Sequence, residues 1–399
     1  MKIASQEKIN SILKFVIDTA SNYPLLAKTQ KFDEVFDIFG FEEELVSENF
    51  SYNSPFFKPL KVGKEDKTGI KIYLCKSFIN EYSIYNILEK YLLDHGSEKP
   101  FLKYKAHKVK HVNYKEYSIY QALDSSEVIY IVNKYEQKIY FVISENINNS
   151  IAGFALSRFI KNISRYRLDR KKLLPLHSAA VDYNGNGILV SGNKFAGKTT
   201  TLSNLLEIEN INFVSNDIIS IDEHLNVYGW PQAVSVRFST IKLNSILKTY
   251  LLNNPQLLYP FNEENIHRKY NDYLDMKNDF HKTKIKFTPN EYAEIFNKRL
   301  FEKTRIRVLI FPKYDKNISS LKIETLYKED IISHLDEQIK LDKMFDPWFE
   351  LDESSSIHNK IKAILTNDIL VLKIVQNEKT KNEFVDLIKE LHNNGFTID

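Results

Sequence analysis

The sequence predicts an α/β protein whose central sheet is mixed, with parallel and antiparallel strands side by side. An apolar run at 188–190 leads into residues 192–199, which fit the phosphate-binding pattern G-x-x-x-x-G-K-S/T, and a helix-like run follows at 200–206. Asn184-Gly185 lies between two apolar runs and predicts a hairpin turn directly before the loop strand. An antiparallel neighbour at this point distinguishes the expected sheet from a doubly wound parallel one.

The loop at 192–199 has the chemistry of a nucleotide site. Backbone N–H groups of such a loop surround a polyphosphate, and the N-terminus of the following helix adds its dipole. The pattern predicts that Lys198 reaches the outer phosphates and that the Thr199 hydroxyl ligates Mg²⁺. A chance glycine turn is the alternative, but it does not explain the Gly-Lys-Thr order at a strand-to-helix junction. The expected nucleotide-binding residues are Gly192, Asn193, Lys194, Phe195, Ala196, Gly197, Lys198, Thr199 and Thr200.

Length and composition limit the class of protein. The 399 residues are enough for two or three domains. The chain has 55 Lys and Arg residues against 52 Asp and Glu residues, a net charge of +3, which argues against a nucleic-acid partner. The single cysteine, Cys75, excludes an internal disulfide framework and a multi-cysteine zinc site, and we expect it to be a buried small hydrophobe. No signal peptide or transmembrane run is visible, so we expect a cytoplasmic protein without a membrane partner.

Three parts are expected along the chain. Residues 1–120 are expected to form an N-terminal α+β domain with a role in substrate recruitment, and a boundary loop is predicted at 96–100. Residues 121–328 are expected to form the phosphate-loop domain, and residues 329–399 a mainly helical C-terminal subdomain. Paired apolar runs predict strand pairs at 128–132 with 139–143, 218–221 with 227–230, and 307–311 with 321–326.

Glycines that define other phosphate-loop classes are missing from the sequence. After Gly197 only Gly229 and Gly395 remain, and neither has an aspartate three residues earlier, as the D-x-x-G switch of a GTPase requires. The chain has no Leu-Ser-Gly-Gly signature of a transporter ATPase and no H-R-D or D-F-G motif of a protein kinase. The residues therefore favour a small-group kinase or a nucleotide-binding protein without a switch.

Phosphoryl transfer needs a second metal ligand, a base for the acceptor hydroxyl and cations near the transferred group. Asp217 is the leading carboxylate because it follows the strand predicted at 213–215, the first after the loop helix, although a turn-capping aspartate is the alternative. Its neighbour Asn216 has an amide that suits metal-bound water or substrate. Asp222 has instead the pattern of an aspartate in a hairpin turn.

His177 precedes the first strand of the Asn184-Gly185 hairpin. If that strand lies beside the phosphate-loop strand, we expect its start near the far end of the sheet, unless the strand is short or bent. A lone histidine is more often structural than catalytic. On the residues alone, a catalytic role for His177 stays open.

Several motifs follow one another in an order that resembles the bacterial HPr kinase/phosphorylase fold, and more closely the HPr-kinase-related proteins of peptide natural-product gene clusters. The resemblance covers roughly residues 125–315. It is carried by Leu176-His177-Ser178-Ala179-Ala180-Val181, the hairpin, the phosphate loop, Val214-Ser215-Asn216-Asp217, Gly229-Trp230-Pro231 with Arg237, and Lys284 to Pro289 before Phe311-Pro312.

The resemblance implies a core of the HPr kinase/PEP carboxykinase type and a kinase that uses ATP or GTP with Mg²⁺. The acceptor it implies is a hydroxyl, often of serine, on a peptide or protein. Lys198 and Thr199 carry over as phosphate and Mg²⁺ ligands, and Asp217 as base or metal ligand. His177 carries over as an active-site histidine, and Arg237 as a residue that binds the transferred phosphate.

The sequence also departs from that family. HPr kinase has two adjacent aspartates where this chain has Asn216-Asp217, and a glycine-rich segment of the family is absent. HPr is therefore not the expected substrate, and a reverse phosphorylase activity stays open. Two further functions stay open: a nucleotide-gated binding or scaffold protein without transfer activity, and a nucleotidyltransferase. The acceptor, the choice between ATP and GTP, and the oligomeric state do not follow from the sequence.

Overall fold

The computed structural model describes residues 2–32, 34–40, 46, 58–59, 69–76, 78–79, 82–100, 108–122, 128–133, 135–144, 149–170, 173–259, 262, 264–275, 283–341 and 369–396. The chain forms two compact units; of the described residues, those up to Tyr166 belong to the first unit and those from Arg167 onward belong to the second. Each unit contains a large mixed sheet and several helices, so the expected α/β class with a mixed sheet is confirmed. Within the described ranges, no helix is long and apolar enough to span a bilayer.

The first unit is built on one large sheet. Its strands are β1 (Leu25–Lys31), β2 (Glu34–Phe39), β3 (Lys58–Pro59), β4 (Ile70–Cys75), β7 (Ser97–Pro100), β8 (Lys108–Tyr114), β9 (Tyr117–Ala122), β10 (Val128–Asn133) and β11 (Lys138–Ile143). They are ordered β3-β1-β2-β4-β11-β10-β9-β8-β7. The short strands β5 (Phe78–Ile79) and β6 (Tyr82–Ser83) pair with each other. The helices are α1 (Lys2–Ala20), α2 (Ile84–His95) and α3 (Asn149–Arg170).

Strand β10 shows how the first unit is layered, because all six of its residues are buried. Val128, Tyr130 and Val132 belong to the hydrophobic cluster that includes residues of α3. Ile129 and Ile131 belong to the cluster that includes residues of α1 and α2. Since successive side chains of a strand point to opposite faces, helices cover both faces of this sheet.

Most elements expected in this part of the chain are present. Helix α1 buries Ile9, Ile12, Leu13 and Val16 along one face, and β10 pairs with β11 in an antiparallel hairpin as predicted. Residues 97–100, expected within a boundary loop, instead form β7, which pairs with β8. The division expected at residue 120 falls within β9, which pairs with strands on both sides. Cys75 is buried as predicted, and burial raises the pKa of its thiol.

The second unit contains the remaining elements. Its strands are β12 (Leu174–Leu176), β13 (Ser178–Tyr183), β14 (Asn186–Ser191), β15 (Ile211–Ser215), β16 (Ile219–Ile221), β17 (Asn226–Gly229), β18 (Val234–Arg237), β19 (Lys284–Phe287), β20 (Lys303–Tyr314), β21 (Lys322–Thr325) and β22 (Leu370–Gln376). Its helices are α4 (Lys198–Leu206), α5 (Phe238–Leu243), α6 (Ser245–Asn253), α7 (Ile266–Asp275), α8 (Pro289–Ile295), α9 (Lys328–Leu341) and α10 (Lys381–Asn393).

The main sheet of the second unit runs β12-β16-β17-β20-β14-β13-β15, and β22 joins β20 to β21. Strand β14 is parallel to β20 on one side and antiparallel to β13 on the other. The predicted hairpin before the loop strand and the mixed sheet are therefore both confirmed. At its turn, Asn184 and Gly185 have φ values of +51° and +87°, which suit the Asn-Gly pair.

Two hydrophobic clusters cover the two faces of this sheet. Ile188 and Val190 of β14 belong to the cluster that includes Leu202 and Leu205 of α4, whereas Leu189 faces the cluster that includes Leu335 of α9. The apolar strand before the loop at 192–199 is thus buried on both faces, as a continuous apolar run predicts. This packing fixes the position of the loop that follows it.

One strand pairing expected in the second unit is wrong. Residues 321–326 were expected to pair with the strand at 307–311, but β21 pairs with β22, and β22 lies between β21 and β20. The described residues of the expected C-terminal subdomain lie mainly in α9 and α10, and they also include β22, a strand of the main sheet. Strand β22 pairs with β20 in parallel, and the local sequence pattern does not predict this pairing. Residues 342–368 of that expected subdomain lie outside the described part.

Candidate functional site

The phosphate-loop sequence forms a tight connection between β14 and α4. The N–H of Ala196 donates to the carbonyl of Asn193 at 3.0 Å, and Phe195 and Gly197 have φ values of +77° and +101°. A Cβ on Gly192 would lie 3.1 Å from the Cβ of Ala196, so the loop closes tightly where the pattern has its first glycine. Gly197 caps α4 without a side-chain hydrogen bond, which leaves the first N–H groups of the helix available to an anion.

Asp217 lies beside this loop. Strand β15 ends at Ser215, which pairs with Ala180, close to the loop end of β14 because Ser178 pairs with Ser191. The Nζ atom of Lys198 is 2.8 Å from Oδ1 of Asp217. The exposed fractions of the two side chains are 11% and 37%, so the lysine is the more enclosed partner. The structure therefore brings together the loop lysine and the leading carboxylate.

His177 joins the same pair, and the expectation that it lies near the far end of the sheet is wrong. The Nε2 atom of His177 is 3.4 Å from Oδ1 of Asp217. The hairpin turn joins the end of β13 to the start of β14, so the start of β13 must lie opposite the end of β14. The pairing of Ser178 with Ser191 therefore places His177 beside the loop at 192–199.

The two polar neighbours of Asp217 have structural partners. The hydroxyl of Ser215 donates to the carbonyl of Ile218 at 2.7 Å and closes the turn. The amide oxygen of Asn216, expected to face metal-bound water or substrate, accepts the N–H of Gln232 at 2.9 Å. Asn216 thus ties the turn to the segment after β17.

Asp222 adopts the role predicted for it. Its Oδ1 atom accepts the N–H groups of His224 at 2.9 Å and Asn226 at 2.8 Å. Its Oδ2 atom accepts the Asn226 amide at 2.8 Å and the Tyr228 hydroxyl at 3.1 Å. These bonds hold the hairpin of β16 and β17, which pair as predicted.

Arg237 is brought to the loop by the ribbon of β18 and β19. Its guanidinium carbon is 4.0 Å from the centroid of the Phe195 ring, and Nζ of Lys194 is 5.3 Å from the same centroid. Phe195 is 65% exposed. Partial burial lowers the pKa of Arg237. Thr200 adds a second link in this region, because its hydroxyl lies 3.2 Å from that of Thr240 in α5.

Three supporting residues were not among the predicted site residues. Lys284 is the cross-strand partner of Arg237, at the end of the β18–β19 ribbon nearest to the loop residues. Gln338 of α9 donates to Oδ1 of Asn193 at 3.0 Å. Gln376, at the end of β22, donates to the hydroxyl of Thr201, which in turn donates to the carbonyl of Gly197 at 3.0 Å. Lys284 begins one of the segments that carry the family resemblance. No local sequence pattern predicts that either glutamine lies at this site.

The possible metal ligands at this site suit Mg²⁺ better than a metal ion whose ligands all come from protein side chains. In the part of the chain that the structure describes, no cluster of three or more His, Cys, Asp or Glu side chains could hold a metal ion. Mg²⁺ is typically bound through one or two protein oxygens together with substrate phosphates and water. One carboxylate, Asp217, and one hydroxyl, that of Thr199 beside Lys198, match such a set.

No protein-family model matches this chain, and no curated protein sequence matches it.

Proposed function

We propose that the second unit binds ATP or GTP with Mg²⁺ and transfers the γ-phosphoryl group to a hydroxyl of a peptide or protein. The proposed acceptor hydroxyl is that of a serine or threonine. The observation that carries this proposal is the 2.8 Å contact between Lys198 and Asp217. It joins the lysine of a phosphate-binding loop to the one carboxylate that the sequence singles out for the chemistry. A lysine in this position can bind the phosphates of the donor nucleotide, and a carboxylate beside it can accept the proton of the acceptor hydroxyl.

The proposal includes a relationship to the HPr-kinase-like proteins. Two features support it: the antiparallel hairpin that precedes the loop strand, and the approach of His177 to Asp217 at 3.4 Å. Both involve residues of the motifs on which the resemblance depends. A turn-capping aspartate would not need a lysine and a histidine on the same oxygen.

Each residue has a role in the proposed reaction. The loop N–H groups and Lys198 bind the β- and γ-phosphates. Lys198 has three donors, so it can contact Asp217 and a phosphate oxygen together. When bound through Thr199 and Asp217, Mg²⁺ would supply positive charge to the phosphates. Arg237 stabilises the charge that develops on the transferred group.

Asp217 also takes the proton of the acceptor hydroxyl in this mechanism. The acceptor oxygen forms a bond to the γ-phosphorus, the bond to the bridging oxygen breaks, and the nucleoside diphosphate leaves with that electron pair. His177 is a positioning residue: through its contact with Oδ1 it holds the carboxylate in the orientation that accepts the proton. The protein contributes mainly positioning and charge.

The test is transfer of label from γ-labelled ATP or GTP, with Mg²⁺, to a panel of serine- and threonine-containing peptides. We expect transfer by the full chain and a loss of about 10³-fold or more in Lys198→Met, as for removal of other phosphate-binding groups. Lys322→Gln is the matched control, because Lys322 is an exposed lysine of β21. Tight nucleotide binding with no transfer to any hydroxyl would contradict the kinase proposal.

One observation favours a second candidate, a nucleotide-gated binding protein without transfer. Asn216 stands where the family has a second aspartate, and its amide oxygen is engaged by Gln232. This candidate predicts background turnover together with a nucleotide-dependent change in partner affinity. A nucleotidyltransferase, the third possibility, would release pyrophosphate instead of the nucleoside diphosphate, so product analysis in the same assay separates it.

A further inference from the structure

Two cations lie against one exposed aromatic ring beside the proposed site, and a third cation lies opposite one of them in a two-stranded ribbon. Lys194 belongs to the phosphate loop, Arg237 ends β18 and Lys284 begins β19. The Phe195 ring contacts the guanidinium of Arg237 at 4.0 Å and lies 5.3 Å from the ammonium of Lys194. Lys284 is directly opposite Arg237 in the antiparallel ribbon. We call Lys194, Phe195, Arg237 and Lys284 the cationic cluster.

Cations placed in this way repel each other. Side chains directly opposite in an antiparallel pair have their Cβ atoms about 4.5–5.5 Å apart, and like charges there are destabilising. The pKa of Lys284 is lowered by loss of water around its ammonium and then by the charges of Arg237, Lys194 and Lys286, whereas Asp217 acts in the opposite direction. The cluster therefore concentrates positive charge close to Asp217, and an anion there would relieve the repulsion.

The cluster extends beyond what the nucleotide alone requires. Lys198 already serves the outer phosphates in the proposed mechanism, and its side chain is enclosed. Lys194 and Lys284 are instead exposed, as is the Phe195 ring. Exposed cations beside an exposed ring offer carboxylates a charged surface and offer a peptide an apolar contact. These features point toward the second substrate.

We propose that the acceptor is an acidic peptide segment, in which carboxylates next to the acceptor hydroxyl bind the cationic cluster and an apolar side chain packs on Phe195. This inference rests on the proposed kinase function and names the substrate class of the same site. Lys284 is its specificity-determining residue, because it adds charge opposite Arg237 without belonging to the phosphate loop.

The test compares synthetic peptides of equal length, each with one serine flanked by Asp and Glu, by Asn and Gln, or by Lys. With the full chain and Mg²⁺-ATP, we expect kcat/KM for the acidic peptide to exceed that for the neutral peptide by about tenfold or more. Lys284→Gln should remove most of this preference, and Lys284→Glu should turn it toward the Lys-flanked peptide. Lys322→Gln removes the same charge from an exposed strand and should keep the wild-type preference.

Two binding measurements separate the possible failures. Nucleotide affinity from calorimetry should change by no more than about threefold in Lys284→Gln; an increase in the nucleotide Kd as large as the loss of kcat/KM would assign the cluster to the nucleotide and overturn the inference. Equal kcat/KM for acidic and neutral peptides would also overturn it while leaving the kinase proposal intact. Binding of an acidic peptide that weakens in Lys284→Gln, together with no phosphoryl transfer to any serine- or threonine-containing peptide, would support the acidic-peptide surface and remove the kinase proposal.

Discussion

The two ends of strand β14 each lie near a carboxylate, and the two carboxylates have opposite kinds of partner. At the start of the strand, Asp182 is 3% exposed and accepts the N–H of Gly185 at 3.0 Å and the hydroxyl of Thr304. At the end of the strand, Asp217 is much more exposed and faces the ammonium of Lys198 and the ring of His177. The first carboxylate has neutral donors and the second has groups that carry or can carry positive charge.

This difference separates a structural aspartate from a chemical one. A buried carboxylate that accepts hydrogen bonds from neutral donors of its own turn and of a neighbouring strand holds the backbone in place, as Asp182 does. A partly exposed carboxylate whose partners, a loop lysine and a histidine, lie outside its own turn contributes little to holding that turn, because water can replace the hydrogen bonds it makes. It remains accessible to substrate and metal instead. Replacement of each aspartate should therefore affect a different property.

The largest effect is expected for Asp217→Asn. The change keeps the shape of the side chain but removes the proton acceptor and the charge, so transfer should fall by about 10³-fold or more, equivalent to about 4 kcal/mol of barrier. Thermal stability should stay close to that of the wild type. Label transfer and a thermal melt on the same sample check both statements.

Survival of the transfer rate in Asp217→Asn would break the comparison, since the carboxylate could then be neither base nor metal ligand. A large fall in melting temperature would also break it, because Asp217 would then be structural, as Asp182 is.

The next effect is expected for Asp182→Ala, and it should be one of stability. The change leaves the hydroxyl of Thr304 and the N–H of Gly185 without their partner in a buried setting, at a cost of about 2–3 kcal/mol in the free energy of unfolding. Urea denaturation of the full chain measures it, with Thr304→Val as the companion variant. Nucleotide affinity, measured well below the melting temperature, should be retained. Loss of nucleotide binding by a folded Asp182→Ala protein would contradict the assignment of a structural role to Asp182 and a chemical role to Asp217.

The local part of this arrangement could be predicted from the sequence. Asn184-Gly185 specifies the hairpin because both residues must adopt positive φ, and the apolar strand before Gly192 specifies a buried neighbour for the loop. The order of strand, loop and helix then gives Lys198 and Thr199 their places. Asp217 could be singled out because it follows the next apolar strand. That it contacts Lys198 is known only from the structure.

The remaining part depends on pairing between distant segments. Lys284 meets Arg237 across a ribbon whose strands are separated by α5, α6 and α7, and Gln376 reaches the loop helix from β22. The spacing of apolar residues within one segment does not predict such contacts, because the register between paired strands is decided by the packing of the whole sheet. The position of His177 was mispredicted for a different reason. Strand polarity in a hairpin determines that the start of β13, and with it His177, meets the loop.

The smallest effect is expected for Asp222→Ala, which tests whether burial or the number of hydrogen bonds decides the structural cost. Asp222 accepts more hydrogen bonds than Asp182, but it is only partly buried and the N–H of His224 lies in an exposed turn. Water can replace much of what the carboxylate provides there, so we expect a loss of about 1 kcal/mol in urea denaturation, less than for Asp182→Ala. Asp222→Asn should recover part of this loss, because its amide oxygen can still accept one of the turn N–H groups. If Asp222→Ala costs more than Asp182→Ala, the number of bonds outweighs burial, and the low cost assumed for partly exposed carboxylates, including Asp217, would have to be raised.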